Sequence, residues 1–85
     1  MAESGRGGRE VIENLAADIS TFVSIVNEEI DAMRQEAHAL RGDWDDEKYE
    51  EFLQYIEALS SSLTSDLTDL DDVVRHLNII LEMMG

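Results

Sequence analysis

The sequence predicts an all-α protein, an antiparallel helix–turn–helix hairpin that dimerises into a four-helix bundle. Two long segments carry apolar residues at helical spacing, a short Gly-Asp stretch separates them, and no proline interrupts either segment. The 85 residues are expected to form one unit. We predict a flexible tail at residues 1–8, a first helix over about 9–41, a turn over about 41–44 and a second helix over about 44–84.

The first helix is predicted from an apolar stripe that begins after the glycine-rich tail. Its members recur every three or four residues, which is the period of an amphipathic helix. We assign its inner face to Ile12, Leu15, Ile19, Phe22, Val26, Ile30, Met33, Ala37 and Leu40, with a flanking strip of Val11, Val23 and Ile25. The extra four-residue step from Val26 to Ile30 predicts a local relaxation of the supercoil.

The turn is predicted at Gly42, which can adopt the left-handed conformation that ends a helix. Asp43 is then the expected N-cap of the second helix. Three further acids follow at the positive end of the helix dipole, namely Asp45, Asp46 and Glu47. Trp44, the single tryptophan, has two open interpretations: it covers the end of the hairpin, or it is a recognition anchor for a partner.

The second helix repeats this design. Its inner face is assigned to Tyr49, Phe52, Ile56, Leu59, Leu63, Leu67, Leu70, Val74, Leu77, Leu81 and Met84, with a flanking strip of Leu53, Val73, Ile80 and Met83. Across both helices, the residues expected to form the packing interface are Phe22, Val26, Phe52, Ile56, Leu59, Leu63, Leu70 and Leu77. The step from Leu63 to Leu67 again departs from a strict heptad.

A pivot at residues 42–43 would bring together residues whose numbers sum to about 85. Arg34 would then lie near Glu50 and Glu51, and the serines at 60–62 would lie opposite residues 22–26. A single hairpin cannot bury both the inner face and the flanking strip of each helix. We therefore expect association with itself or with another helical protein, because pairing of two hairpins would cover the second strip.

The charge of the chain restricts its partners. Twenty acidic and six basic residues give a net charge of −14, with −4 in residues 1–42 and −10 in residues 43–85. Nucleic acids and anionic membranes would repel such a surface, whereas a basic protein would not. No apolar run is long enough for a membrane span, and the N-terminus lacks the apolar segment of a signal peptide.

Residues that could perform catalysis or bind a metal are sparse. The chain has no cysteine, and neither His38 nor His76 has a histidine or cysteine three or four residues further on to form a metal pair. The acidic segment 66–72 has leucines where a calcium loop needs oxygen ligands. The Arg-Gly-Asp tripeptide at 41–43 is explained by the turn. We therefore predict that the protein is not an enzyme and has no cofactor or metal site.

The two helices around a tryptophan resemble the WXG family, the ESAT-like small helical substrates of type VII secretion systems. Trp44 lies at the pivot and Phe52 follows it by eight residues, as in that family, but Asp46 occupies the position of the motif glycine. The resemblance implies a helical hairpin that dimerises, resides in the cytoplasm before export and leaves the cell without a cleaved signal peptide. The family's Tyr-x-x-x-Asp/Glu export signal is not seen, since Leu53 and Leu59 follow Tyr49 and Tyr55 by four residues.

Two functions follow as alternatives. The first is a secretion protein or accessory that forms a bundle with itself, another hairpin or the helical targeting domain of a toxin. The second is a cytosolic acidic regulator, such as an immunity protein, an antitoxin or a chaperone, that binds a basic partner protein.

Overall fold

Two long helices lie side by side in opposite directions. The computed structural model describes residues 4–42 and 46–85, with the side chains of residues 7–41 and 46–85. Helix α1 spans Ser4–Ala39 and tightens into a 3-10 turn at Leu40–Gly42, and helix α2 spans Glu47–Met84. The hairpin is 64 Å long and 17 Å wide. The predicted all-α helical hairpin is confirmed.

Helix α1 begins earlier than the sequence pattern suggests. It starts at Ser4, so residues 4–8, expected to belong to a tail, are helical; residues 1–3 lie outside the described part. Extending an existing helix adds one hydrogen bond for each residue fixed and needs no new nucleus. The helix therefore continues through residues whose individual propensity is poor.

The start of α2 is set by Asp46 and not by Asp43. The Oδ1 atom of Asp46 accepts a hydrogen bond of 3.0 Å from the backbone N–H of Tyr49, and its backbone is extended with φ −149°. Asp46 immediately precedes Glu47, so its carboxylate reaches the third free amide of the first turn. Gly42 is the last residue of the 3-10 turn, which is another way to close a helix end. Asp43, Trp44 and Asp45 lie outside the described residues.

The buried seam between the helices follows a strict heptad. Its apolar members are Ala16, Val23, Ile30 and Ala37 on α1 and Leu53 and Leu67 on α2, with Ser60 midway between the last two. A parallel line of half-buried residues (Ile12, Ile19, Val26 and Met33) has the same spacing of seven. The four-residue steps at Val26 and Leu63 are thus part of the regular heptad, and the predicted departure from it is wrong.

Six residues assigned to the inner face are exposed, whereas Val23 and Leu53, assigned to the flanking strips, are buried. The six exposed residues are Leu15, Phe22, Leu40, Leu59, Leu63 and Met84. Both strips of each helix are apolar, so the helical period alone does not choose between them. The observed seam places Ala16 and Ser60 between the helices, and small side chains there allow the two backbones to approach closely.

The register also differs from the predicted one. Arg34 pairs with Glu57 and Arg41 with Glu50, so the numbers of facing residues sum to 91 and the pivot lies three residues later than expected. Arg75 pairs with Asp72 of its own helix. The shift follows from the cap at Asp46, because a turn that ends at Asp46 starts α2 later than one that ends at Asp43.

Candidate interaction surface

Grooves lie between the described parts of the two helices on opposite sides of the hairpin. One groove is lined by polar groups around Arg34 and Glu57, including Asn27, Asp31, Ser61 and Thr64. The other is lined by Ala32, Met33, Leu40, Phe52 and Ile56, with Glu29 and Glu36 at its edge. The hairpin therefore has a polar side and an apolar side.

The polar side is organised by a carboxylate that contacts both an arginine and a histidine. Arg34 donates to Glu57 through both Nε, 3.1 Å from Oε1, and Nη2, 2.8 Å from Oε2. Nε2 of His38 lies 3.2 Å from Oε1 of the same carboxylate. The hydrogen bond from Arg34, followed by that from His38, lowers the pKa of Glu57, and the bond to Glu57 raises the pKa of Arg34. A planar two-point pair of this kind favours one register of the helices.

Tyr49 closes the turn end of the hairpin. Among the side chains that the structure describes it is the largest that is fully buried, and its hydroxyl donates to the carbonyl oxygen of Ala37 at 2.8 Å, with the carbonyl of His38 at 3.1 Å. These carbonyls belong to the last turn of α1, where backbone acceptors have no partner within the helix. The guanidinium of Arg41 lies 5.4 Å from the centre of the tyrosine ring. Tyr49 thus ties the end of α1 to the start of α2.

The apolar pattern predicts Tyr49 on the inner face but does not predict its role at the turn. The signal that could have found it is a tyrosine three residues after a potential cap, since a buried phenol needs a hydrogen-bond acceptor and the end of the preceding helix offers several.

Ser60 is a polar residue within the seam. Its side chain is 4% exposed, and its hydroxyl has no hydrogen-bond partner. It lies beside Ile30 and not opposite residues 22–26 as expected. The small size of the serine accounts for its place in the seam, because a larger residue there would separate the helices.

The apolar side carries an exposed strip that we call the apolar flank. It consists of Leu15, Phe22, Leu59, Leu63, Val73 and Ile80, each 42–53% exposed. Residues seven apart keep the same position relative to the facing helix when the seam is a strict heptad. On α1, Leu15 and Phe22 lie fourteen and seven residues before Glu29. On α2, the residues that follow Phe52 by multiples of seven include Leu59, Val73 and Ile80. Because Glu29 and Phe52 line the same groove, these residues share its side of the hairpin.

The predicted packing residues divide into two groups. Val26, Phe52, Ile56, Leu70 and Leu77 are half-buried between the helices. Phe22, Leu59 and Leu63 are exposed on the apolar flank. The structure therefore brings the first group together within the hairpin and leaves the second group facing outward.

The two histidines are separated. His38 lies beside Glu57, whereas Nδ1 of His76 lies 2.9 Å from the carbonyl oxygen of Asp72 in its own helix. Within the described residues, no group of three potential ligands comes together that could bind a metal ion. Neither described helix contains an apolar stretch long enough to cross a membrane.

Comparison with known proteins adds no relative to this description. No family model matches the chain, and searches of curated proteins and of solved structures found no match.

Proposed function

We propose that this chain is a non-enzymatic helical-hairpin protein similar to the WXG and ESAT-like proteins of type VII secretion, either a substrate or an accessory of one. It acts by forming a helical bundle with itself or with a partner helical protein. The observation that carries the proposal is the apolar flank, six large side chains that the hairpin leaves about half exposed along one side.

A bundle would be stabilised by covering the apolar flank. Covering a half-exposed leucine or phenylalanine removes apolar surface from water and is worth about 1 kcal/mol for each side chain. The flank extends along both helices, from Leu15 to Phe22 on α1 and from Leu59 to Ile80 on α2. A second helical element that lies lengthwise against it would complete a bundle of the type in which long hairpins are commonly found.

At the position where the chain departs from the family motif, the aspartate has a structural role of its own. Asp46 stands where the family has glycine, and it is the N-cap of α2 in this chain. The aspartate therefore has a local role that a glycine would perform less well. Phe52, the aromatic residue expected eight positions after Trp44, packs against the cluster of Ala37, Tyr49 and Leu53.

The proposal is tested by expressing the tagged chain in its native host. We expect it to co-purify with a helical hairpin or a helical targeting domain, and to reach the culture medium only while the type VII secretion ATPase is intact. Phe22→Asp should abolish the pairing, whereas Ser61→Asp, the same added charge on the polar side, should not. A well-folded monomer that captures no helical protein and is never exported contradicts the proposal.

Trp44→Ala provides a separate test of the resemblance. If Trp44 is a recognition anchor, the variant folds with a loss of about 1 kcal/mol but is not exported. Circular dichroism, thermal melting and the amount of protein in the medium measure the two effects. A variant that loses stability yet is exported normally assigns Trp44 to the turn alone.

A second candidate is the acidic regulator that binds a basic partner. It is favoured by the excess of acidic residues in α2 and the turn, net −10 over residues 43–85. Dependence of the protein's location on the secretion ATPase separates the two candidates, since a cytosolic regulator remains in the cell when the ATPase is present.

A further inference from the structure

We infer that the apolar flank is the docking site for a helix of another protein whose apolar stripe is bordered by lysine and arginine, and not for a second copy of this chain. The inference deepens the proposed function and rests on it, because it names the kind of partner that would complete the bundle.

The flank has the shape of a long, narrow strip. The part of the flank on α2 runs from Leu59 to Ile80, which is about 32 Å at the rise of an α-helix. Leu15 and Phe22 lie alongside its distal half across the groove. A narrow apolar strip of this length matches one amphipathic helix of about 21 residues lying along it.

Exposed acidic residues lie along the strip. An acidic border consists of the exposed residues Asp18, Glu29, Glu36, Asp66 and Asp69. Glu29 and Glu36 continue the line of Phe22 at intervals of seven, and Asp66 lies in the line of Leu59 and Val73. Asp66 therefore lies within the strip, and the other carboxylates lie beside it or just beyond its end, close to any helix that covers the flank.

The described arginines and Lys48 lie away from the flank or are paired elsewhere. Arg34 and Arg41 pair with Glu57 and Glu50, and Arg34 lines the polar groove on the opposite side. Arg9 donates to the carbonyl oxygen of Leu81, and Arg75 pairs with Asp72. Lys48 lies near the turn, eleven residues or about 16 Å before Leu59. No described arginine forms an ion pair with a carboxylate of the acidic border, so the negative charge along the flank is not neutralised by this chain.

Repulsion between like charges excludes a second copy of the chain as the preferred occupant of the flank. In a symmetric dimer the same patch serves both subunits, so the acidic border of one would face the acidic border of the other. Each chain also carries a net charge of −14. Juxtaposed like charges oppose association, whereas a border of lysine and arginine would match the carboxylates and speed the encounter.

The experiment uses the full chain and two synthetic helical peptides of about 21 residues. Both peptides have the same leucine stripe, bordered by lysine in one and by glutamate in the other. Binding is measured by isothermal titration calorimetry in low and high salt. Sedimentation velocity of the chain alone, over the same concentrations, reports whether it forms a dimer.

We expect the lysine peptide to bind at least about tenfold more tightly than the glutamate peptide at low salt, and the ratio to fall as salt rises. Leu59→Asp should weaken binding of the lysine peptide by about tenfold or more, because it places a charge within the apolar contact. Ser61→Asp, on the polar side, should leave binding unchanged. Phe22→Gln, which adds no charge, provides a second variant, and circular dichroism confirms that each variant is folded.

The contrary outcomes are distinct. Equal binding of the two peptides, or undiminished binding of the lysine peptide to Leu59→Asp and Phe22→Gln, overturns the basic partner at this site. A stable dimer of the chain alone that Leu59→Asp dissociates identifies a second copy as the occupant, and it overturns this inference while leaving bundle formation intact. A folded monomer that binds neither peptide overturns the inference and removes the support for bundle formation.

Discussion

At the scale of single residues, one tyrosine joins the two helices. Tyr49 lies three residues after the N-cap Asp46, so the cap that starts α2 also positions the phenol against the end of α1. The hydroxyl supplies a donor to the carbonyl of Ala37, near the end of α1. The buried hydrogen bond and the buried ring act at the same point, where the chain reverses.

Tyr49→Phe should lower the free energy of unfolding by about 1–2 kcal/mol, because the ring remains and a buried carbonyl loses its donor. Tyr55→Phe is the matched control, since Tyr55 is 65% exposed and its hydroxyl is available to water. Urea denaturation followed by circular dichroism measures both. Equal effects of the two substitutions contradict the role assigned to Tyr49.

The Glu57 pair predicts a pH dependence of stability. The hydrogen bonds from Arg34 and His38 lower the pKa of Glu57 in the folded state below its unfolded value. The stability it contributes is therefore present above the unfolded pKa and is lost as the pH falls through the folded pKa. Glu57→Gln should be less stable than the wild type near neutral pH, and the difference should shrink in acid. Melting temperatures across this range test it, with Glu51→Gln as a control of equal charge change.

At the scale of the helix, each element carries two apolar strips and buries one of them. The buried strip contains the small residues Ala16, Ala37 and Ser60, whereas the flank contains Phe22 and Leu59. Large residues were expected in the core because they bury more surface. The structure instead places small ones between the helices, where close approach lets the neighbouring Val23, Ile30 and Leu67 form contacts across the seam.

Two leucines one helical turn apart should therefore differ in cost. Leu67 is 5% exposed within the seam, and Leu63 is 42% exposed on the flank. Leu67→Ala should destabilise the isolated hairpin by about 2–5 kcal/mol, because it leaves a cavity. Leu63→Ala should cost about 1 kcal/mol or less. Denaturation at concentrations where the chain is monomeric measures both values, and a reversed ranking indicates that the flank is the true core.

At the scale of the whole molecule, charge repulsion opposes the folded hairpin. A net charge of −14 is distributed over a rod only 17 Å wide, and the four pairs of arginine and carboxylate seen among the described residues lie at the surface. Surface pairs contribute little to stability, whereas the repulsion acts along the whole length.

Sodium chloride should therefore stabilise the isolated protein. Raising the ionic strength from about 0.02 M to about 0.2 M shortens the screening length and weakens repulsion between carboxylates on the same rod. The melting temperature should rise over this range, measured by circular dichroism. Potassium chloride serves as the control for a specific effect of the sodium ion. A fall in melting temperature means that the ion pairs outweigh the repulsion.

The sequence by itself determined that this protein is a hairpin of two long amphipathic helices. Period, absence of proline and the Gly-Asp turn are local properties, and each acts within a few residues of chain. The same reasoning identified the apolar flank in part, since it found two apolar strips on each helix and predicted that one would remain uncovered.

The tertiary structure alone decided which strip is inner, which residues face each other and which aspartate begins α2. Burying Val23 in preference to Phe22 depends on how closely two backbones approach, and that distance is set by Ala16 and Ser60 on different helices. The register depends on the cap at Asp46 together with the distant pair of Arg34 and Glu57. A pattern read along one helix contains no information about the other helix, whereas packing depends on both at once.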